Sequence, residues 1–152
     1  MTLEAIFIAA SLAYGVPDGL LSSLCFVESS HRIAVRKVDS NGRESLGVCQ
    51  IQKETAQDLG FEGTKKDLMA PEINIFWSAF YLSKQHERYG SWIKAVKAYN
   101  AGSTKNSKHN TYSWRVFHVR ELQRKSRKGP QVRPTNPGTG RGTPGSTVDT
   151  HR

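Results

Sequence analysis

Residues 20–52 read LLSSLCFVESSHRIAVRKVDSNGRESLGVCQIQ, and the parsing of this stretch decides the fold. Leu20, Leu21, Leu24, Cys25 and Val27 recur as one face of a helix, so the stretch opens as a buried helical run. At about 100° per residue, Glu28 falls inside that apolar stripe rather than on the opposite face. An ionised carboxylate among apolar neighbours loses hydration, and its pKa is expected to rise. The competing reading is a helix-end glutamate satisfied by a backbone amide or by Arg32 or Arg36. Beyond it, Ile33 to Glu44 is a polar loop centred on Asp39-Ser40-Asn41-Gly42, a strong turn signal. Gly47 to Ile51 is too short for a capped helix.

Working outward, helical spacing dominates. Thr2 is a plausible N-cap for Leu3, Ile6, Phe7, Ala10 and Tyr14; Gly15 closes that helix and Pro17 opens the next. Lys53 to Leu59 predicts a short helix ending at Gly60. Pro71 to Tyr89 is the longest helical stretch and stops at Gly90. Ser91 caps a run from Trp92 to Tyr99, which Asn100-Ala101-Gly102 terminates. A last helix from about Thr111 to Arg124 holds Tyr112, Val116, Val119 and Gln123 in register. No segment alternates in the manner of a strand. The fold class is therefore mostly α, with room for a small β-hairpin near 39–47.

From Lys125 the composition turns to Ser, Lys, Arg, Gly, Pro and Thr. This divides the chain into a domain at 1–124 and a flexible basic tail at 125–152 that buries too little surface to order itself. The net charge of +9 favours polyanions such as nucleic acid, an anionic cell wall or a membrane surface, and does not choose among them. The apolar run Ala5 to Ala13 follows Glu4 rather than a basic residue and is too short to span a bilayer, so no cleaved signal is expected.

Cys25 and Cys49 have neither a disulfide framework nor metal-ligand spacing; two small buried thiols are expected, with a bridge between them as the alternative. His31, His86, His109, His118 and His151 show no metal pattern; no metal or other cofactor is expected. Trp77, Trp92 and Trp114 are expected in the core rather than stacked on ligand.

Four segments, in order, carry a resemblance: Val27-Glu28-Ser29-Ser30; Gly47-Val48-Cys49-Gln50-Ile51 with Thr55-Ala56; Pro71-Glu72-Ile73-Asn74-Ile75 with Tyr81-Leu82; and Ala98-Tyr99-Asn100-Ala101-Gly102. Together, over roughly Tyr14 to Val119, they resemble the lysozyme-like lytic transglycosylase (SLT) domain, in a compact version such as phages carry. The sequence departs from the family pattern at His31, where an aromatic is usual, at Cys49, where methionine is usual, and in a longer loop between Glu28 and Gln50.

The resemblance implies a lysozyme-like α-helical fold and cleavage of the MurNAc–GlcNAc β-1,4 bond of peptidoglycan. Glu28 would serve as acid and then base, and the products would carry 1,6-anhydromuramyl ends. It also implies that Gln50 bonds substrate near the cleavage point and that Tyr99 and Asn100 line the cleft. Ser29 and Ser45 are lesser substrate-binding candidates.

A hydrolase of the ordinary kind needs a second carboxylate. Asp39, Glu44, Glu54 and Asp58 are close in sequence, but nothing distinguishes one of them. The alternatives are a muramidase on the same scaffold and a non-catalytic wall-binding virion component. Expected partners are peptidoglycan strands and, through a basic rim at Lys105, Lys108, Arg115 and Arg120 and through the tail, anionic wall polymer or virion protein; nucleic acid is not the expected partner. Action on periplasmic or cell-wall peptidoglycan, after delivery by a phage particle or lysis system, completes the expectation.

Overall fold

The computed structural model describes residues 1–102 and 110–130. Helix α1 spans Leu3–Tyr14; Thr2 Oγ1 accepts from the Ala5 amide at 3.1 Å, and Gly15 ends the helix in the left-handed conformation at φ 65°. Helix α2 spans Leu20–Ser29 and begins later than Pro17 suggested. Pro17-Asp18-Gly19 instead form a turn in which the Leu20 amide donates to the Pro17 carbonyl at 3.1 Å, and Gly19 becomes the N-cap at φ 75°.

Three short strands follow: β1 (Arg36–Val38), β2 (Glu44–Leu46) and β3 (Ile51–Gln52), antiparallel and in that order. The expected hairpin is β1–β2, with Arg36 opposite Leu46 and Val38 opposite Glu44. The third strand was not expected: two residues are too few to show alternation.

Helix α3 (Lys53–Asp58) precedes α4 (Lys65–Met69), which the sequence reading did not anticipate although Thr64 and Asp67 form a reciprocal capping box. Helices α5 (Pro71–Tyr89) and α6 (Trp92–Ala101) fall where expected, ending at Gly90 and Gly102. Helix α7 runs Asn110–Arg127, three residues past the expected end and into the stretch assigned to the tail. Residues 131–152 of that stretch lie outside the described residues. No helix among the described residues is long and apolar enough to cross a membrane.

The main core gathers Ile6 and Phe7 of α1, Leu20, Leu21 and Leu24 of α2, Leu82 of α5, Val96 of α6 and Val116 of α7. A smaller core of Leu46, Ile51, Ala56, Phe61 and Leu68 lies beneath the sheet. Asn74, fully buried on α5, joins the two. It accepts from the Cys49 amide at 2.9 Å and donates to the Leu46 and Leu68 carbonyls at 2.8 Å each. These bonds satisfy backbone groups that would otherwise be buried without partners.

Gly47 sits at φ 74°, and a Cβ there would lie 2.4 Å from Asn74 Nδ2. The glycine is thus required twice, by its conformation and by the close approach of Asn74.

The cysteines correct the sequence reading. Cys25 and Cys49 form a disulfide, with Cα atoms 4.2 Å apart. Their separation of 24 residues carried no pairing signal, and packing α2 against the β2–β3 connection brings them together. Closing a loop of that size stabilises the fold by about 3 kcal/mol. Its location also has a local effect, since it ties the helix bearing Glu28 to the segment bearing Gln50.

Candidate active site

Glu28 occupies the last turn of α2. The chain then leaves through Ser30 and His31, both at positive φ (56° and 60°), with the Ser30 amide donating to the Phe26 carbonyl at 2.7 Å. His31 packs against the helix's own flank, between the rings of Phe7 and Phe26, and its Nε2 lies 2.8 Å from the Ser22 carbonyl. It therefore does not take the place of a cleft aromatic.

The two arginines that offered Glu28 a structural role have other partners. Arg32 Nε donates to the Ser29 carbonyl at 2.9 Å, and Arg36 lies 3.9 Å from Glu44. Instead Glu28 Oε1 accepts from the Tyr112 hydroxyl at 2.5 Å, and the Asn100 side chain supplies a further hydrogen bond. Burial lifts the Glu28 pKa from 4.5 to about 7, although the bonds from Tyr112 and Asn100 and the charge of Lys37 pull it down; Asp39 adds to the rise. The carboxyl is thus divided between its two protonation states near neutrality, as suits a group that first gives and then takes a proton.

Glu28 opens onto a pocket of about 480 Å³, which also receives Lys37, Asp39 and Ser45 from the β1–β2 hairpin, Gln50, and Tyr81, Tyr99 and Asn100 from α5 and α6. Gln50 is held at φ 53°, a strained conformation for a residue with a side chain. Its Nε2 donates to the Val35 carbonyl at 3.0 Å and to the Gly47 carbonyl at 2.8 Å, which fixes the amide's orientation. Gln50 lines the pocket, while its Oε1 is buried and has no protein partner among the described residues.

Tyr99 is buried, and its hydroxyl donates to the Cys49 carbonyl at 2.7 Å. Its ring sits 5.1 Å from that of Tyr81, and the pair forms an aromatic wall of the pocket, with the Tyr99 hydroxyl bracing the chain beside Gln50. Burial, with the nearby Glu28 carboxylate, pushes the Tyr99 hydroxyl well above its usual pKa.

The structure brings Glu28, Gln50, Tyr99, Asn100 and Ser45 together at the pocket and does not bring Ser29 there. Ser29 is 2% exposed and donates to the Val48 and Cys25 carbonyls at 2.6 and 3.2 Å, coupling α2 to the β2–β3 connection. Ser45 reaches the pocket wall with its hydroxyl donating to Asp39 Oδ2.

Two residues were not singled out by sequence. Tyr112 was seen only as a helix-register position; it lies 84 residues from Glu28, and no local signal marks it. Of the four nearby carboxylates, Asp39 lines the pocket, while Glu44 faces Arg36 and Lys65.

Removing the Tyr112 donor tests this electrostatic account. Tyr112→Phe takes away a bond that favours the charged form, so the Glu28 titration should move upward from about 7 by roughly one unit. Carboxyl-carbon NMR of specifically labelled protein measures it. An unchanged or lowered midpoint would remove Tyr112 from the site.

Other sequence expectations resolve individually. Trp77 packs against Phe61 and Phe80, and Trp92 stacks on His86. Trp114 departs from the expectation of a core tryptophan: it is 63% exposed and stacks on His118, one turn along α7. Arg120 Nε donates to the Asp18 carbonyl at 2.9 Å, fastening α7 to the turn before α2. Lys105, Lys108, His109 and His151 lie outside the described residues. Among the described residues, no group of three or more His, Cys, Asp and Glu side chains could hold a metal ion.

Comparison with known proteins agrees with this fold. The family model for the transglycosylase SLT domain matches residues 5–115. An X polypeptide of Escherichia coli is 27% identical over 119 residues, covering 74% of this chain and 70% of its own length. Protein IpgF of Shigella flexneri is 28% identical over 97 residues, or 62% of this chain and 64% of that protein. Among solved structures, an inactive mutant of the lytic transglycosylase Slt from Pseudomonas aeruginosa matches with a TM-score of 0.67 and 20% identity over 84% of this chain. This chain spans about a quarter of that protein (24%), and the likeness is one of fold.

Proposed function

The chain belongs to the transglycosylase SLT domain family, and from that premise we propose that it is a peptidoglycan lytic transglycosylase with Glu28 as the proton-transfer group. The observation that carries this reading is the state of Glu28: at the pocket, without a cationic ion-pair partner among the described residues, and with its pKa raised to about 7.

In the first step the Glu28 carboxyl gives its proton to the glycosidic oxygen of the MurNAc–GlcNAc bond, and the bonding pair leaves with that oxygen. The muramyl acetamido carbonyl closes on C1 to hold the cation. In the second step the muramyl 6-hydroxyl attacks C1 and its proton returns to Glu28, leaving a 1,6-anhydro end without consuming water. Gln50, Asn100 and the Tyr81–Tyr99 wall would orient the strand across Glu28. Carriage to the wall as a phage virion or lysis component belongs to the same proposal, by analogy alone.

A second reading has an observation in its favour. Asp39 shares the pocket with Glu28, and a pair of carboxylates is what a hydrolytic muramidase needs. Mass analysis of a purified peptidoglycan digest separates the two. Ends one water lighter than the hydrolytic product are expected; a digest with reducing ends alone would overturn transglycosylation.

A further inference from the structure

Asp39 directly follows strand β1 and begins the turn to β2, where an aspartate usually serves its own backbone. Here that duty falls to Asn41, whose Oδ1 accepts from the Arg43 amide at 3.0 Å. The turn is closed further by backbone bonds between Asp39 and Arg43 at 2.8 Å and from Gly42 to Asp39 at 2.9 Å. The Asp39 side chain reaches across the sheet instead. Its Oδ2 accepts from Ser45 Oγ on β2 and from Gln52 Nε2 on β3, the latter at 2.6 Å.

Three strands thus hold one half-buried carboxylate at the wall of the pocket that Glu28 enters from α2. Both side-chain bonds fall on Oδ2, which leaves Oδ1 with capacity for a donor arriving with substrate.

We propose that Asp39 is a second working carboxylate of the cleft, accepting the N–H of the substrate's 2-acetamido group and stabilising the cation that this group forms as the glycosidic bond breaks. The proposal rests on the transglycosylase reading above. Three features match it.

First, when the acetamido oxygen bonds to C1, the positive charge spreads over the O–C–N unit of the new five-membered oxazolinium ring. Its N–H becomes a far stronger donor than the neutral amide was. A fixed carboxylate nearby then gains more in the transition state than in the ground state, which is the condition for raising turnover rather than affinity. Second, Asp39 keeps its proton count throughout: Glu28 gives and recovers the proton, C1 exchanges its leaving oxygen for the acetamido oxygen and then for the 6-hydroxyl oxygen, and nothing is oxidised or reduced. Third, Ser45 and Gln52 hold the carboxylate before substrate arrives, so little reorganisation is needed as charge develops.

On this account Ser45 is a positioning residue acting through Asp39. A nucleophilic Asp39 attacking C1 would instead give a glycosyl-enzyme and, after water, reducing ends.

The test is Asp39→Asn in the full chain, with Asp39→Ser as a second variant whose small polar side chain suits a turn. Thermal melts close to wild type certify folding. In either variant kcat on purified peptidoglycan is expected to fall about 10²- to 10³-fold with KM within about threefold. The probe for the cation is a muramic-acid thiazoline, a stable analogue of the oxazolinium. Its affinity should fall at least about tenfold, while an uncut wall tetrasaccharide bound to Glu28→Gln should lose less than about threefold on adding Asp39→Asn.

Unchanged kcat and unchanged thiazoline affinity, in a wild-type protein that does release anhydro ends, would overturn the role of Asp39 and leave the transglycosylase reading standing. Equal losses for thiazoline and tetrasaccharide would also overturn it, reducing Asp39 to a general binding contact. Reducing ends from the wild type would remove the premise itself, independently of either variant.

Discussion

Glu28→Gln lowers the rate of peptidoglycan cleavage about a thousandfold while leaving substrate affinity within a few-fold. The substitution keeps the side chain's volume, and its amide oxygen still accepts from Tyr112, whose hydroxyl now stands 2.5 Å from Glu28 Oε1. What it removes is the proton. With a pKa of about 7, Glu28 is both protonated often enough to serve as an acid and basic enough to recover the proton afterwards. A glutamine does neither. Gln50 and Asn100 remain at the pocket, so the loss should fall on kcat and not on KM. Release of soluble fragments from labelled peptidoglycan, with a sedimentation assay for binding, reads both quantities. A non-catalytic wall-binding protein would bind as before and have no turnover to lose. Turnover at the wild-type rate in Glu28→Gln would end the proposed mechanism.

Glu28 was legible in the sequence because its cost is local. It interrupts an apolar stripe whose other members lie on the same helix, and periodicity alone shows the conflict. The helix ends were legible for a similar reason: Thr2, Ser91, Gly15, Gly90 and Gly102 act on backbone groups within one turn of themselves. Strand β3 escaped because two residues have no period, and α4 because five residues offer little more than a cap.

The residues that complete the site depend on contacts across the fold. Tyr112 reaches Glu28 only because α7 packs on α2, and Asp39 separates from its three neighbouring carboxylates only because the hairpin folds over the pocket. The disulfide belongs to the same class. Each cysteine looked like core filling in its own segment, and the pairing exists only once the β2–β3 connection lies against α2. The motif residue Tyr99 was located by the sequence, yet its hydroxyl bond to the Cys49 carbonyl is a structural finding: it braces the chain beside Gln50.

The same Glu28→Gln variant should be more stable than the wild type at alkaline pH. The unfolded chain titrates Glu28 near 4.5 and the folded chain near 7, so between those values the folded state holds more protons. Unfolding stability must then decrease as pH rises through that window, and the contribution of this one group amounts to about 3 kcal/mol once pH exceeds 7. Glutamine is neutral at every pH and carries no such dependence.

Subtracting one protein from the other cancels every other titrating group and isolates Glu28. At pH 8 the variant should exceed the wild type by up to about 3 kcal/mol, and by pH 4 the two should coincide. Urea unfolding at both pH values, with equal m-values for the pair, gives the comparison. A variant less stable at pH 8, or a gap that persists at pH 4, would show that Glu28 is not a carboxylate held against its ionisation. Damage to packing could lower turnover, but it would lower stability as well. A thousandfold loss of rate accompanied by a gain in stability that fades on acidification arises only where the fold disfavours a charge that the chemistry requires.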